Sequence, residues 1–207
     1  MLHTETVTPA TLDLIDRLQQ DPAFSGFYLV GGTALSLQIG HRISVDIDFF
    51  TKKSFDTVAL TEHLEKAYAF SQQYSSTNTL KGFIGDTFVD LLKHDYPFVN
   101  PPISMDGIRM LSKPDIAAFK VNAITGNGTR AKDFVDIYFL LKEFSLTDIV
   151  GFYRTKYSQR NDYHAIKSLA YFDDIDPDGW PNLILEKELT LKKLTSALTR
   201  HCERMLG

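Results

Sequence analysis

Phe27-Tyr28-Leu29-Val30-Gly31-Gly32-Thr33-Ala34-Leu35-Ser36-Leu37-Gln38-Ile39-Gly40-His41-Arg42-Ile43-Ser44-Val45-Asp46-Ile47-Asp48-Phe49-Phe50 reads as a strand, a sharp turn, a short helix and a second strand. Four apolar residues, 27–30, run into a glycine pair, the composition of a buried strand that turns abruptly. Residues 33–39 suit a short helix stopped by Gly40. From Arg42 to Phe50 the chain alternates, with Ile43, Val45, Ile47 and Phe49 to one side and Arg42, Ser44, Asp46 and Asp48 to the other. That alternation predicts a half-buried strand with one polar face.

Asp46 and Asp48 would leave such a strand from the same face, with Cα atoms about 6.5 to 7 Å apart, close enough to converge on shared hard cations. An isolated Asp-x-Asp is ordinarily a solvated strand face. Here it follows a glycine-rich strand-to-helix turn, whose outward N–H groups and helix dipole favour phosphate, and where glycine allows close approach of the backbone. A phosphate cradle beside paired carboxylates is what magnesium-dependent phosphoryl or nucleotidyl transfer requires, because cations must bridge acidic protein and anionic substrate. Two-ion chemistry needs a third carboxylate. Asp90 is the candidate, within the β-like run Phe88–Leu92 that follows Leu80–Phe83 across a Gly85-Asp86 hairpin turn.

Outward from this core, a first helix is expected after Thr6 or Thr8, and another over residues 55–69 capped by Ser54. A short strand lies near Ile108 to Leu111. Ser112-Lys113-Pro114-Asp115 is then a helix-start signature. Helices are expected over 113–125, 131–144, 146–157, 162–172 and 190–206. The expected fold is α+β: an N-terminal α/β catalytic domain over residues 1–111, then a helical domain over 112–207 that completes the active-site cleft.

Composition narrows the function classes. The 207 residues are 43% hydrophobic and 23% charged, as in an ordinary globular protein. Lys plus Arg number 22 against 26 Asp plus Glu, a net charge of -4 that argues against a globally basic nucleic-acid binder. One cysteine, Cys202, excludes an internal disulfide and a multi-cysteine zinc site. Without a signal-like N-terminus or an apolar run of about 18 residues, a cytoplasmic protein with no membrane association is expected.

Other polar residues admit two readings. Arg42 and Ser44 either contact a triphosphate or, for Arg42, pair with an aspartate to fix the strand. Lys120, amid Ile116, Ala117, Phe119, Val121 and Ile124, either lies along the core or aims its ammonium into a cleft. Asp133 and Asp136 share a helix face, and such a pair normally faces solvent. Residues 152–167 carry Arg154, Lys156, Arg160 and Lys167 interleaved with Tyr153, Tyr157 and Tyr163, a pattern that suits RNA but also a solvated helix face.

The blocks Gly31–Leu35, His41–Phe50, Val89-Asp90-Leu91-Leu92, Lys120-Val121-Asn122-Ala123 and Arg130–Tyr138, with a looser match at Ala170–Asp174, resemble the AbiEii/AbiGii toxin family of nucleotidyltransferases. That family, which includes the MenT toxins, belongs to the DNA polymerase β-like nucleotidyltransferase superfamily. The resemblance implies a nucleotidyltransferase-type mixed sheet followed by a helical bundle. It implies two Mg2+ ions, or Mn2+ in their place, on Asp46, Asp48 and Asp90. It also implies a nucleotide held by Gly31, Gly32, Thr33, Arg42, Ser44 and Lys120, with Lys120 on phosphate and Asp136 in the active site. Expected partners are an NTP substrate, a tRNA acceptor and a separately encoded antitoxin protein. The chain departs from the superfamily's Gly-Ser by placing Thr33 after Gly32, with a longer gap to Asp46, so Thr33 or Ser36 would supply the hydroxyl. Rival expectations are transfer to a small-molecule or protein hydroxyl, or a non-catalytic nucleotide-binding module.

Overall fold

Thr8 starts the first helix, α1 (Pro9–Gln20): its side chain accepts from the Thr11 N–H and Pro9 fills the first turn, where its missing N–H costs nothing. The computed structural model describes residues 1–158 and 162–206. Strand β1 (Phe27–Val30) runs straight into α2 (Gly31–Ile39), which Gly40 ends in the left-handed conformation at φ 73°. Then follow β2 (Ile47–Thr51), α3 (Thr57–Tyr68), β3 (Ser71–Ser76), β4 (Thr79–Ile84), β5 (Thr87–Lys93), β6 (Ile103–Met105) and β7 (Ile108–Met110). The remaining helices are α4 (Lys113–Gly126), α5 (Ala131–Leu140), α6 (Leu146–Tyr157), α7 (Asp162–Leu169) and α8 (Leu191–Leu206).

The chain forms two compact units. The first comprises residues 1–40, 44–96 and 102–111, and contains a mixed sheet in the order β3-β4-β5-β2-β1-β7-β6. β2 pairs antiparallel with β1 and parallel with β5, and β1 pairs parallel with β7. One face of this sheet is core: Leu29, Ile47, Phe49, Leu80, Val89 and Leu91 are fully buried. α1 adds Ile15 and Leu18, α2 adds Leu35 and Leu37, and α3 adds Leu64. Burying a side chain of this size contributes about 1.5–3 kcal/mol relative to leaving it exposed.

The second unit comprises residues 41–43, 97–101 and 112–206 of those described, and α4 is its hub, packed on α5, α6 and α7. Ile116, Val121, Phe134, Ile137, Ile149, Val150 and Leu169 fill its interior. Residues 97–101 join it through Asp115, whose carboxylate accepts from the Val99 and Asn100 N–H groups.

Several local expectations change. Asp56, not Ser54, caps α3, because its carboxylate reaches the Val58 and Ala59 N–H groups. α5 and α7 stop at Leu140 and Leu169, short of the expected ends. The expected strand over 42–50 exists only from Ile47. Residues 41–43 are drawn to the second unit: Ile43 N–H donates to the Asn182 carbonyl, Ile184 N–H to the His41 carbonyl, and Arg42 bridges to Leu183. This breaks the alternation, leaving Val45 57% exposed and burying Arg42 and Ser44. β3, Ser71-Gln72-Gln73-Tyr74-Ser75-Ser76, is an edge strand exposed along its whole length, so it lacks the apolar alternation by which strands are recognised.

Candidate active site

The face of the sheet opposite the core carries a transverse row of charge in the first unit. Asp48 on β2 is in register with Asp90 on β5, and Asp90 with Lys81 on β4. Residues paired in register project from the same face, with neighbouring strands about 4.8 Å apart. The Lys81 ammonium donates to Asp90 Oδ2 at 2.6 Å, while Asp90 Oδ1 is buried without a hydrogen-bond partner. Along the strands the next row is Tyr28, Phe50 and Leu92. The Phe50 ring stacks on His94 at 5.2 Å, and His94 meets Tyr96 at 4.6 Å.

β1 ends at Val30 opposite Asp48, and the chain enters α2 through Gly31 with φ +70°. A Cβ at Gly31 would lie 2.1 Å from Asp48 Oδ2, so only glycine fits both this backbone angle and this carboxylate. Val30, at the N-cap position, offers no side-chain acceptor to the first turn of α2. Asp46 lies just before β2 and is part-exposed. Its carbonyl accepts the Thr33 hydroxyl, and Thr33 Oγ1 also lies 2.9 Å from Ser44 Oγ. Both hydroxyls are buried and pin the 44–46 loop to the start of α2. Ser36 is fully buried too, so neither Thr33 nor Ser36 presents an exposed hydroxyl.

These residues meet the chemical demand for a hard cation, since their donors are carboxylate oxygens and one of them, Asp90 Oδ1, is buried and idle. Among the described residues no three His, Cys, Asp or Glu side chains converge into a ready-made metal site. Asp90 is turned toward Lys81 instead.

The other predicted residues lie in the second unit. Arg42 grips Asp136 with two donors, Nε to Oδ1 at 2.7 Å and Nη2 to Oδ2 at 3.0 Å. His41 Nε2 lies 2.8 Å from Asp136 Oδ1, and Lys120 Nζ lies 2.6 Å from Asp136 Oδ2 and 2.7 Å from Asp133 Oδ1. All five side chains are buried. Burial opposes ionisation of Asp136, but the Arg42 and Lys120 charges and the His41 and Arg42 hydrogen bonds outweigh it, holding its carboxyl well below the usual range. Burial also works against the Lys120 ammonium, yet Asp133 and Asp136 raise its pKa. For His41 burial dominates and lowers the pKa, so the ring is neutral near pH 7.

The expectation of a strand face shared by Arg42, Ser44, Asp46 and Asp48 is therefore corrected. Arg42 pairs with an aspartate, Ser44 is locked to Thr33, and the Lys120 ammonium lies between two carboxylates rather than open to solvent. Asp133 and Asp136 are buried rather than solvated because His41, Arg42, Lys120 and Arg130 answer them. The expected RNA segment also thins out. Lys156 is buried on Asp115, Tyr153 is buried, Arg154 pairs with Asp162, Lys167 lies 4.8 Å over the Tyr163 ring, and Arg160 falls outside the described residues. The cause is amphipathic geometry: α6 turns Tyr153 and Lys156 inward.

Sequence reasoning missed Lys81 and His41. The Thr79-Leu80-Lys81 alternation carried a weak signal for Lys81, whereas nothing local to His41 points to a carboxylate 95 positions away.

This mixed α/β fold is shared with nucleotidyltransferases of known structure. The profile described as nucleotidyl transferase AbiEii toxin, type IV toxin–antitoxin system, matches residues 13–206, and the chain belongs to this family. An uncharacterized protein of Aquifex aeolicus is 35% identical over 154 residues, 72% of this chain and 74% of that protein. The crystal structure of a candidate nucleotidyltransferase from Helicobacter pylori superposes with a TM-score of 0.59 at 18% identity, covering 96% of this chain and 95% of that one. MenT4, a nucleotidyltransferase toxin from Mycobacterium tuberculosis, gives 0.58 at 13% identity over 94% of this chain and 84% of its own. Among the described residues no helix is long and apolar enough to cross a membrane.

Proposed function

We propose that the protein transfers a nucleotidyl group from an NTP to an acceptor hydroxyl, with tRNA as acceptor and a separately encoded antitoxin as its partner. The carrying observation is the registration of Asp48 with Asp90 on adjacent strands, beside a glycine turn into α2 that no side chain caps. In the reaction the acceptor oxygen attacks the α-phosphorus, the bond from that phosphorus to the bridging oxygen breaks, and pyrophosphate leaves. Asp90 takes the hydroxyl proton on Oδ1, the oxygen that Lys81 leaves unbound. The N–H groups opening α2 at Gly31, Gly32 and Thr33 hold the triphosphate. Asp46, Asp48 and Asp90 would hold Mg2+ or Mn2+, which supplies charge neutralisation for the phosphates.

The Tyr28, Phe50, His94 and Tyr96 rings beside this row suit base stacking, which supports an RNA acceptor. In the second unit the charges of Arg42 and Lys120 are matched by Asp133 and Asp136, so we assign Arg42, Lys120 and Asp136 as positioning residues. Incubation with each labelled NTP, Mg2+ and total tRNA tests the proposal. Label on tRNA that disappears with Asp48→Asn is the expected result; label confined to protein or small molecules sinks the tRNA assignment.

A further inference from the structure

Lys81 stands at the end of the charged row. Its side chain is 37% exposed, and that of its partner Asp90 is 16% exposed. Asp48 and Asp90 are like charges directly opposite one another on adjacent strands, an arrangement that destabilises a sheet unless a cation offsets it. Lys81, in register on the far side of Asp90, supplies such a cation to Asp90. A monovalent ammonium attracts a carboxylate less strongly than a divalent ion does, so a divalent ion can displace it. The ammonium occupies Oδ2 and leaves Oδ1 without a partner, so half of Asp90 is engaged and half idle. Among the described residues the three aspartates do not gather into a ready-made metal site.

We infer that Lys81 is a built-in counter-ion that competes with divalent cations for Asp90 and so sets how tightly the Asp46, Asp48 and Asp90 set binds them. The inference rests on the proposed assignment of those three residues as cation ligands. Lys81 is thus a positioning residue: it restrains the third carboxylate until a cation arrives, and it weakens loading in the absence of substrate.

Titration of the full chain with MnCl2, followed through the electron paramagnetic resonance signal of free Mn2+, tests this without recourse to activity. Lys81→Met keeps the aliphatic stem and removes the charge; it should take up Mn2+ on the order of tenfold more tightly than the natural protein. Lys81→Arg should stay near the natural affinity, and Lys81→Met combined with Asp90→Asn should lose the gain. A folded Lys81→Met protein that binds Mn2+ no more tightly than the natural one overturns the inference and leaves the metal assignment standing. If the natural protein shows no Mn2+ uptake that Asp48→Asn removes, the metal assignment fails and the inference fails with it. Should Lys81→Met not fold, as read by circular dichroism, Lys81→Gln carries the same expectations.

Discussion

Asp46 and Asp48 in the first unit, and Asp133 and Asp136 in the second, are both close pairs of aspartates, yet their environments differ completely. The first pair is part-exposed beside a glycine turn, and the row that Asp48 begins ends in a part-exposed lysine. The second pair is sealed from water, with Arg42, Lys120 and His41 bonded to it. The difference separates two uses of a carboxylate. One at an open row keeps access to solvent, beside an ion pair that is itself part-exposed. One that organises a core is surrounded, because an unanswered buried charge costs several kcal/mol.

The sharpest way to break this contrast is Asp136→Ala. It leaves Arg42 and Lys120 buried with half their neutralisation gone, and urea denaturation should report a loss of about 3–5 kcal/mol. Asp48→Asn should do the reverse: nucleotidyl transfer falls by about a hundredfold or more, while the melting temperature changes far less than with Asp136→Ala, because Asp48 is part-exposed. A melting temperature that collapses with Asp48→Asn would merge the two classes of aspartate. Gly31→Ala tests the junction, because its Cβ meets Asp48 Oδ2 in a left-handed backbone; stability should drop by about 1–3 kcal/mol and activity should fall with it.

The smallest effect is in the pH dependence. Asp136 and His41 both have lowered pKa values in the folded protein. The unfolded chain therefore binds protons that the folded one excludes, and stability must fall as pH falls. His41 contributes first, below its unfolded pKa of about 6.5, and Asp136 only below about 4, with a slope limited to roughly 1.4 kcal/mol per pH unit per group. His41→Gln should flatten the first limb of stability against pH and leave the second in place. Persistence of the first limb in that variant would remove His41 from the cluster's titration.

The elements that position the acidic row were legible because their signals are local. Gly31-Gly32 and Gly40 bracket α2, the Gly85-Asp86 turn sets β4 against β5, and Ser112 with Pro114 starts α4. The strand context of Asp90 was legible, although only the parallel pairing of β2 with β5 put it opposite Asp48. The strand before Ile47 was over-read for the converse reason. Its alternation is real, but hydrogen bonds to residues 182–184 compete for the same backbone and win residues 41–43 for the second unit.

The sequence alone determined the strand–glycine–helix–strand frame, the run of C-terminal helices and the identity of the acids, because periodicity, caps and turns act within a few residues. Tertiary structure alone decided what each charge does. Whether Arg42 lies at an open face or meets Asp136, whether Lys120 is exposed or held between two carboxylates, and which cationic side chain meets Asp90 are settled by which residues distant in the chain become neighbours. Electrostatic interaction depends on that separation and on the water left between the charges, and neither is written in local spacing.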